Sequence, residues 1–133
     1  MTTPRFRHHP MFLTELEEFI RKHCSGQSSS EITLQLLENL LVKHFYYKQP
    51  QFTPKHLGPA SGFYGYAVYF FHMIIPYSGL SKTQQPKCYL YKTDETISFL
   101  CLNSHVENYD DSKLRKIAKQ RLAEIIEVLK TTP

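Results

Sequence analysis

Three segments rich in aromatic and β-branched residues follow one another in the middle of the chain, and they constrain its fold more than any other feature. They are FYGYAVYFFHMII, KCYLYK and TISFLCLN, at residues 63–75, 87–92 and 96–103. Side chains of these types favour extended backbone, so each segment is predicted to be a strand. Because the three strands are consecutive, the simplest arrangement is an antiparallel meander.

The last two segments are joined by TDET, which predicts a tight hairpin with Asp94 and Glu95 at its tip. That register places Cys88 opposite Cys101 at a non-hydrogen-bonded position, where Cα atoms approach to about 4.5 Å. We expect both thiols to lie in the core and to be reduced. With Cys24, the chain has three widely spaced cysteines and no C-x-x-C pair, which is typical of a reduced cytosolic protein.

Two helices are predicted before these strands, where apolar residues recur every three or four positions, and together they are predicted to form an αα-hairpin. The second runs from Glu31 to about Tyr47, and Ser28 stands three residues before Glu31 as in a capping box. A short strand from Arg5 to His8 is predicted to open the chain. The apolar positions that indicate the first helix are Phe12, Leu13, Leu16, Phe19 and Ile20.

A third helix is predicted to follow the strands and to begin at Asp110 or Asp111, where a carboxylate suits the helix dipole. Its basic residues, Arg121 among them, are expected to lie on other faces of the helix than its apolar residues. Residues 48–62 contain three prolines and two glycines, which predicts a loop. The apolar stripe consists of Leu114, Ile117, Ala118, Leu122, Ile125 and Leu129.

Length and composition favour one globular domain with an α+β fold over residues 1–133. A chain of 133 residues that is 41% hydrophobic and 21% charged is neither disordered nor of low complexity. Its apolar runs are shorter than the roughly 18 residues that a membrane helix needs. The N-terminal MTTPRFRHHP lacks the apolar core of a signal peptide. We therefore expect a cytoplasmic protein without a membrane partner.

The charge balance permits an anionic partner such as nucleic acid. The chain contains 16 Lys and Arg and 12 Asp and Glu, which gives a net charge of +4. The sequence contains neither the Gly-rich nucleotide-binding patterns nor the serine-hydrolase pattern G-x-S-x-G. Adjacent His8 and His9 are a poor metal pair, because neighbouring residues of a strand point to opposite faces. No metal or other cofactor is expected.

A family resemblance is visible in KCYLYKTDETISFLCLN and in the following SHVENYDDSKLRKIAKQRL, with TPKHLGPASGFYGYAVYFF as the entry into the first long strand. These segments resemble sequences of the RelE/ParE superfamily of bacterial toxins. The predicted element order (β)ααβββα is also similar to the order in that superfamily. FFHMII is similar to a strand of its YafO-like branch. The resemblance implies a toxin that an antitoxin protein holds inactive. RelE-like members cleave mRNA on the ribosome without a metal, whereas ParE-like members inhibit DNA gyrase.

Metal-free RNA cleavage needs an acid, a base and cations at the phosphate. The resemblance assigns a catalytic role to His105, at the corner between the last strand and the last helix, and to Tyr109 near the start of that helix. It places Lys87 where related toxins carry a phosphate-contacting arginine. His72 is predicted to share a face with Phe70, either as a buried histidine or as a catalytic group.

Substrate binding is predicted for basic and aromatic residues outside the catalytic set. The first long strand carries no Lys or Arg, which is a departure from the family. Either catalysis depends on histidines or the chain has lost ribonuclease chemistry, so a gyrase inhibitor and a non-catalytic binding protein remain alternatives to an endoribonuclease. The predicted binding residues are Lys55 and His56 in the loop, Arg115 and Lys119 on the last helix, and the exposed Tyr66.

Overall fold

The structure, a computed structural model, describes residues 4–24, 29–47, 55–57, 63, 65–72, 85–103 and 110–131. Within them, the chain forms a mixed α+β fold, so the predicted α+β class is confirmed. The strands are β1 (Arg5–Phe6), β2 (Lys55–Leu57), β3 (Val68–His72), β4 (Lys87–Lys92) and β5 (Thr96–Asn103). The helices are α1 (Pro10–His23), α2 (Ser30–Tyr47) and α3 (Asp111–Thr131).

All five described strands belong to one sheet in the order β1-β5-β4-β3-β2. Strands β2, β3, β4 and β5 pair antiparallel with their neighbours, whereas β1 pairs parallel with β5. The consecutive antiparallel pairing of β3, β4 and β5 agrees with the predicted meander. Among the described strands, β1 and β2 therefore lie at the two edges of the sheet, and each is only two or three residues long.

Each face of the sheet carries its own apolar core. Helices α1 and α2 cover one face, with Phe12, Leu37 and Phe99 at its centre. Helix α3 covers the other face, with Leu114 and Ala118 against Tyr89 and Leu100. Consecutive residues of β4 alternate between the two cores, as the period of a strand requires. Burial on both faces explains why β4 and β5 read as continuous apolar runs.

The β4–β5 hairpin turns at the predicted residues. The backbone N–H of Thr93 donates to the Thr96 carbonyl at 2.9 Å, and the two threonine hydroxyls lie 2.7 Å apart. Asp94 and Glu95 alone therefore form the tip, and Leu90 faces Phe99 as predicted.

The predicted pairing of Cys88 with Cys101 is wrong, because the register shifts by one residue beyond Leu90. A bulge in β5 leaves Leu100 without a β4 partner, so that Cys88 faces Leu102. An extra residue in one strand reverses the faces of all residues after it. Cys101 accordingly packs against α3, and Cys88 packs on the opposite face with α1 and α2.

Both strand cysteines are nevertheless buried and free of disulfides, as expected, and Cys24 is half-buried. Burial raises the pKa of the Cys101 thiol to about 12 and the pKa of Cys88 well above its usual value. Since the thiolate is the nucleophile, iodoacetamide is expected to modify Cys24 in native protein much faster than the other two. Peptide mass spectrometry measures this, and the denatured protein, in which all three react, is the control. Equal modification of all three in native protein would contradict the packing.

The same thiols make alkaline pH destabilising. A thiol ionises near pH 9 when exposed, whereas Cys101 in the folded protein stays neutral until about pH 12. The stability that this neutral thiol contributes is therefore complete below about pH 9 and is lost as the pH rises towards 12.

Beyond Phe99, no described strand pairs with the outer edge of β5. Its backbone groups form hydrogen bonds with side chains there. Arg121 is buried in α3 and donates through Nη1 to the Leu100 carbonyl at 3.0 Å. Its two terminal nitrogens also donate to the Glu15 carboxylate of α1 at 2.7 and 2.9 Å. Burial disfavours the charge of Arg121, but the hydrogen bonds and the charge of Glu15 more than offset this and raise its pKa. The prediction that Arg121 lies off the packed face is therefore wrong.

His8 and His9 point to opposite faces, as predicted for adjacent residues of an extended segment. His8 donates from one side of the sheet towards Glu38 of α2 at 2.7 Å, and its Nδ1 accepts from the Phe99 N–H. His9 lies 3.0 Å from Glu124 of α3 and caps α1 by accepting from the Met11 N–H. The two histidines thus join helices on both faces to the edge of the sheet.

Three further predictions need correction. Residues 48–62 were expected to form a loop, yet β2 lies within them, because an edge strand pairs on one side only and tolerates nearby proline. Strand β3 begins at Val68 and not at residue 63 as predicted, and residues 73–75 of the predicted segment lie outside the described residues. Ser29 instead of Ser28 caps α2, since its Oγ accepts from the Ile32 N–H.

Candidate functional site

Two of the predicted site residues, His72 and Lys87, meet at one end of the sheet. They are directly opposite each other on β3 and β4, and Lys87 is also opposite Asn103 on β5. Directly opposed residues of antiparallel strands point to the same face, which here is the face that packs against α3. His72 is exposed, so the alternative of a buried histidine is wrong.

Lys87 is held by one carboxylate and two aromatic rings. Its Nζ lies 2.7 Å from Oδ1 of Asp111, the first residue of α3. The same ammonium group lies 4.2 Å from the centre of the Phe70 ring and 5.4 Å from that of Tyr89. The side chain is only 13% exposed. A cation so little hydrated requires partners of this kind, because burying an unpaired charge is strongly unfavourable.

Asp111 links Lys87 to the predicted binding residue Arg115. Its Oδ2 lies 3.5 Å from Nη2 of Arg115, one turn further along the helix. The hydroxyl of Tyr89 donates to Oδ1 at 3.5 Å. We call Phe70, Lys87, Tyr89, Asp111 and Arg115 the Lys87 cluster. It combines two cations with two aromatic rings beside the start of α3.

One donor of the Lys87 cluster has no described partner. Nε of Arg115 is buried, and among the residues that the structure describes it makes no hydrogen bond. The helix cap does not use Asp111, because Asp110 accepts the N–H groups of Ser112 at 2.9 Å and of Lys113 at 3.3 Å. Of the two predicted start positions, Asp110 is therefore the cap.

A second region, which we call the Tyr66 groove, lies further along the same face of the sheet. It encloses about 340 Å³ between α3 and the start of β3. Buried Phe63 forms part of its floor, and Tyr66 is 41% exposed at its rim, as predicted. Tyr66 meets the ring of Tyr91 edge-on at 5.9 Å. The lining residues are Phe63, Tyr66, Lys119, Leu122, Ala123, Ile126, Glu127 and Lys130.

Two basic residues of α3 connect the Lys87 cluster with the Tyr66 groove. Arg115 and Lys119 are four residues apart, which corresponds to about 6 Å along a helix axis. Arg115 is half-buried and Lys119 is exposed. Burial raises the pKa of the Tyr91 hydroxyl, and the neighbouring Tyr66 adds to the effect. The face therefore presents cations and neutral aromatic side chains, which together suit a polyanion with planar bases.

Of the remaining predicted residues, two lie on edge strand β2 and two lie outside the described part of the chain. Lys55 and His56 belong to edge strand β2, where Lys55 pairs with Phe70 and His56 with Tyr69. His105 and Tyr109 lie outside the described residues. Two described residues close in sequence to these positions contact Lys87: Asn103 pairs with it, and Asp111, which follows Asp110, forms its ion pair.

Sequence reasoning missed the central role of Asp111, which it treated only as a possible helix cap. The spacing of Asp111 and Arg115 was a usable signal, since opposite charges four residues apart meet on a helix surface. The contact with Lys87 had no local signal, because it joins a strand to a helix 24 residues away.

The described residues show neither a metal-binding group nor a helix that could cross a membrane. They hold no group of three or more His, Cys, Asp or Glu side chains that could bind a metal ion. None of their helices combines the length and the apolar character that crossing a membrane requires.

Comparisons with known proteins do not assign the chain to a family. No protein-family model matches it, and neither a curated protein nor a solved structure is significantly similar to it.

Proposed function

We propose that this chain binds single-stranded RNA across the Lys87 cluster and the Tyr66 groove and cleaves it as a metal-independent endoribonuclease. In this proposal it is a toxin of the RelE/ParE type, which acts on mRNA at the ribosome in the cytoplasm and is held inactive by an antitoxin protein. The observation that carries the proposal is the convergence of Lys87, Arg115 and exposed His72 at one end of a face that also presents aromatic rings.

Recognition would use phosphates and bases in different ways. Lys87 and Arg115 would contact one phosphate of the RNA backbone and Lys119 a neighbouring one, and the exposed ring of Tyr66 would stack on a base. The groove volume of about 340 Å³ is sufficient for one base and its ribose. A net charge of +4 favours association with a polyanion in general.

Cleavage would use the 2′-hydroxyl of the RNA as the nucleophile. A base removes its proton, the 2′-oxygen attacks phosphorus, and the bond to the 5′-oxygen breaks as an acid protonates the leaving oxygen. The products are a 2′,3′-cyclic phosphate and a free 5′-hydroxyl. Lys87 and Arg115 would stabilise the charge that develops on the phosphate. His72 and His105 are the candidates for acid and base, because an imidazole exchanges protons near neutral pH.

A non-catalytic RNA-binding protein is the second candidate. Strand β3 contains His72 but no Lys or Arg, and the ammonium of Lys87 is already paired with a carboxylate. Both observations reduce the positive charge available for stabilising a transition state. This candidate predicts the same RNA affinity without strand breaks.

Changing Lys87 to Met tests the proposed interface. The variant keeps the apolar stem over Phe70 but removes the charge, so the Kd for a short single-stranded RNA should rise about tenfold. The slope of log K against log salt should fall by about 0.7, as for the loss of one phosphate contact. Fluorescence anisotropy over a salt series measures both quantities.

The matched control is Lys43→Met, which removes an exposed lysine from α2 on the other side of the sheet. It should leave the Kd within about twofold of the wild-type value, since it removes only long-range attraction. Equal losses in the two variants, or no loss in either, would show that the Lys87 cluster is not the RNA site.

A further inference from the structure

We infer that Asp111 competes with the RNA: in the free protein its carboxylate occupies the position that a substrate phosphate takes in the complex. The inference rests on the proposed function and adds a residue that sets affinity at the same site. It predicts that Asp111 must leave Lys87 and Arg115 before a phosphate can contact both cations.

The donors around Asp111 form a set that suits a phosphate. Lys87 Nζ at 2.7 Å, the Tyr89 hydroxyl at 3.5 Å and Arg115 Nη2 at 3.5 Å converge on its two oxygens. Carboxylate and phosphate accept the same charge-assisted hydrogen bonds, and both can take two parallel bonds from one guanidinium group. A ligand with more oxygens than Asp111 would find these donors already directed at one place.

Arg115 indicates that the carboxylate is an incomplete substitute for that ligand. Its Nη2 reaches Asp111 only at the limit of hydrogen bonding, and the neighbouring Nε is buried without a partner among the described residues. Nε and Nη2 form one edge of the guanidinium group, the edge that commonly binds a phosphate with two parallel bonds. A phosphate in place of the carboxylate would satisfy both nitrogens.

Asp111 can move away without unwinding α3. The N-terminal N–H groups of the helix are capped by Asp110, not by Asp111. The Asp111 side chain is 45% exposed, so its carboxylate can rotate into water. If it stayed in place, its negative charge would lie beside the incoming phosphate and oppose binding.

The test is Asp111→Asn, measured with the same short single-stranded RNA by fluorescence anisotropy. Removal of the competing charge should lower the Kd about tenfold. The salt slope should stay like that of the wild type, because the same phosphate contacts form in both complexes. The control is Glu17→Gln, which removes one negative charge from the exposed surface of α1. It should change the Kd less than twofold. Asp111→Ala is a second variant that removes the charge without adding an amide donor.

Two outcomes overturn the inference. Unchanged or weaker binding by both Asp111 variants, with thermal unfolding like the wild type, would show that Asp111 does not compete with RNA. Equal tightening by Glu17→Gln would show an effect of net charge alone. The gain should also largely disappear in a Lys87→Met background, because the released cation is then missing. If Lys87→Met alone leaves wild-type binding unchanged, the proposed function fails, which is a distinct result.

Discussion

Replacing His105 with Ala is expected to lower RNA cleavage by about 100-fold or more, which is the usual effect of losing one general acid or base. An imidazole can give and take a proton near neutral pH, whereas the methyl group of alanine can do neither. RNA affinity and thermal stability should change little, because the expected role is proton transfer. Single-turnover cleavage of a labelled RNA measures the rate, and His105→Gln should be as slow, since it keeps polarity without titrating.

His23→Ala is the matched control for this prediction. His23 lies in the last turn of α1, on the face of the sheet away from the Lys87 cluster. It should leave the cleavage rate within about twofold, since it removes no group that the proposed proton transfer uses. Full cleavage by a folded His105→Ala protein would remove His105 from the mechanism.

Arg121→Met should cause the largest loss of stability among single changes of charged residues in the described chain, about 3 kcal/mol. The substitution leaves the Glu15 carboxylate without its two hydrogen bonds and the Leu100 carbonyl without its donor. Glu15 is 27% exposed and Arg121 is 10% exposed, so water replaces these bonds only in part. Urea unfolding followed by circular dichroism measures the change.

Lys119→Met on the same helix provides the comparison, since Lys119 is exposed. Its effect on the free energy of unfolding should be within about 0.5 kcal/mol. Adding Glu15→Gln to Arg121→Met should recover part of the lost stability, because the uncompensated charge is then gone. A loss below about 1 kcal/mol for Arg121→Met would show that water satisfies these groups and that the β5 edge does not need them.

The fold was predictable where local pattern and tertiary structure agree. Both strands of the hairpin and its tip at Asp94 and Glu95 follow from the aromatic and β-branched side chains of the two segments and from the short connection between them. The bulge at Leu100 was not predictable, because the mostly apolar side chains of TISFLCLN are compatible with either pairing register. In the observed register the Leu100 carbonyl accepts from Arg121, whose partner Glu15 is 106 residues away in sequence, and no local pattern indicates such a contact.

The candidate site was predictable only in its components. Lys87, Arg115 and His72 were selected by residue type and by resemblance, and the structure brings them to one end of the sheet. The pairing of Lys87 with Asp111 depends on where α3 packs against the sheet. No local sequence pattern indicates that packing position. The roles of His105 and Tyr109 stay predictions, since these residues lie outside the described part of the chain.

Mapping of strand breaks in cellular mRNA tests the central claim most directly. The chain is expressed in a bacterial host, and primer extension across abundant mRNAs compares the wild type with His105→Ala. We expect new 5′ ends in phase with codons within translated regions when the wild type is expressed. These ends should be lost when His105→Ala is expressed. Intact mRNA in both strains would contradict the account: with a DNA-damage response it would indicate gyrase inhibition, and without one it would indicate a non-catalytic binding protein.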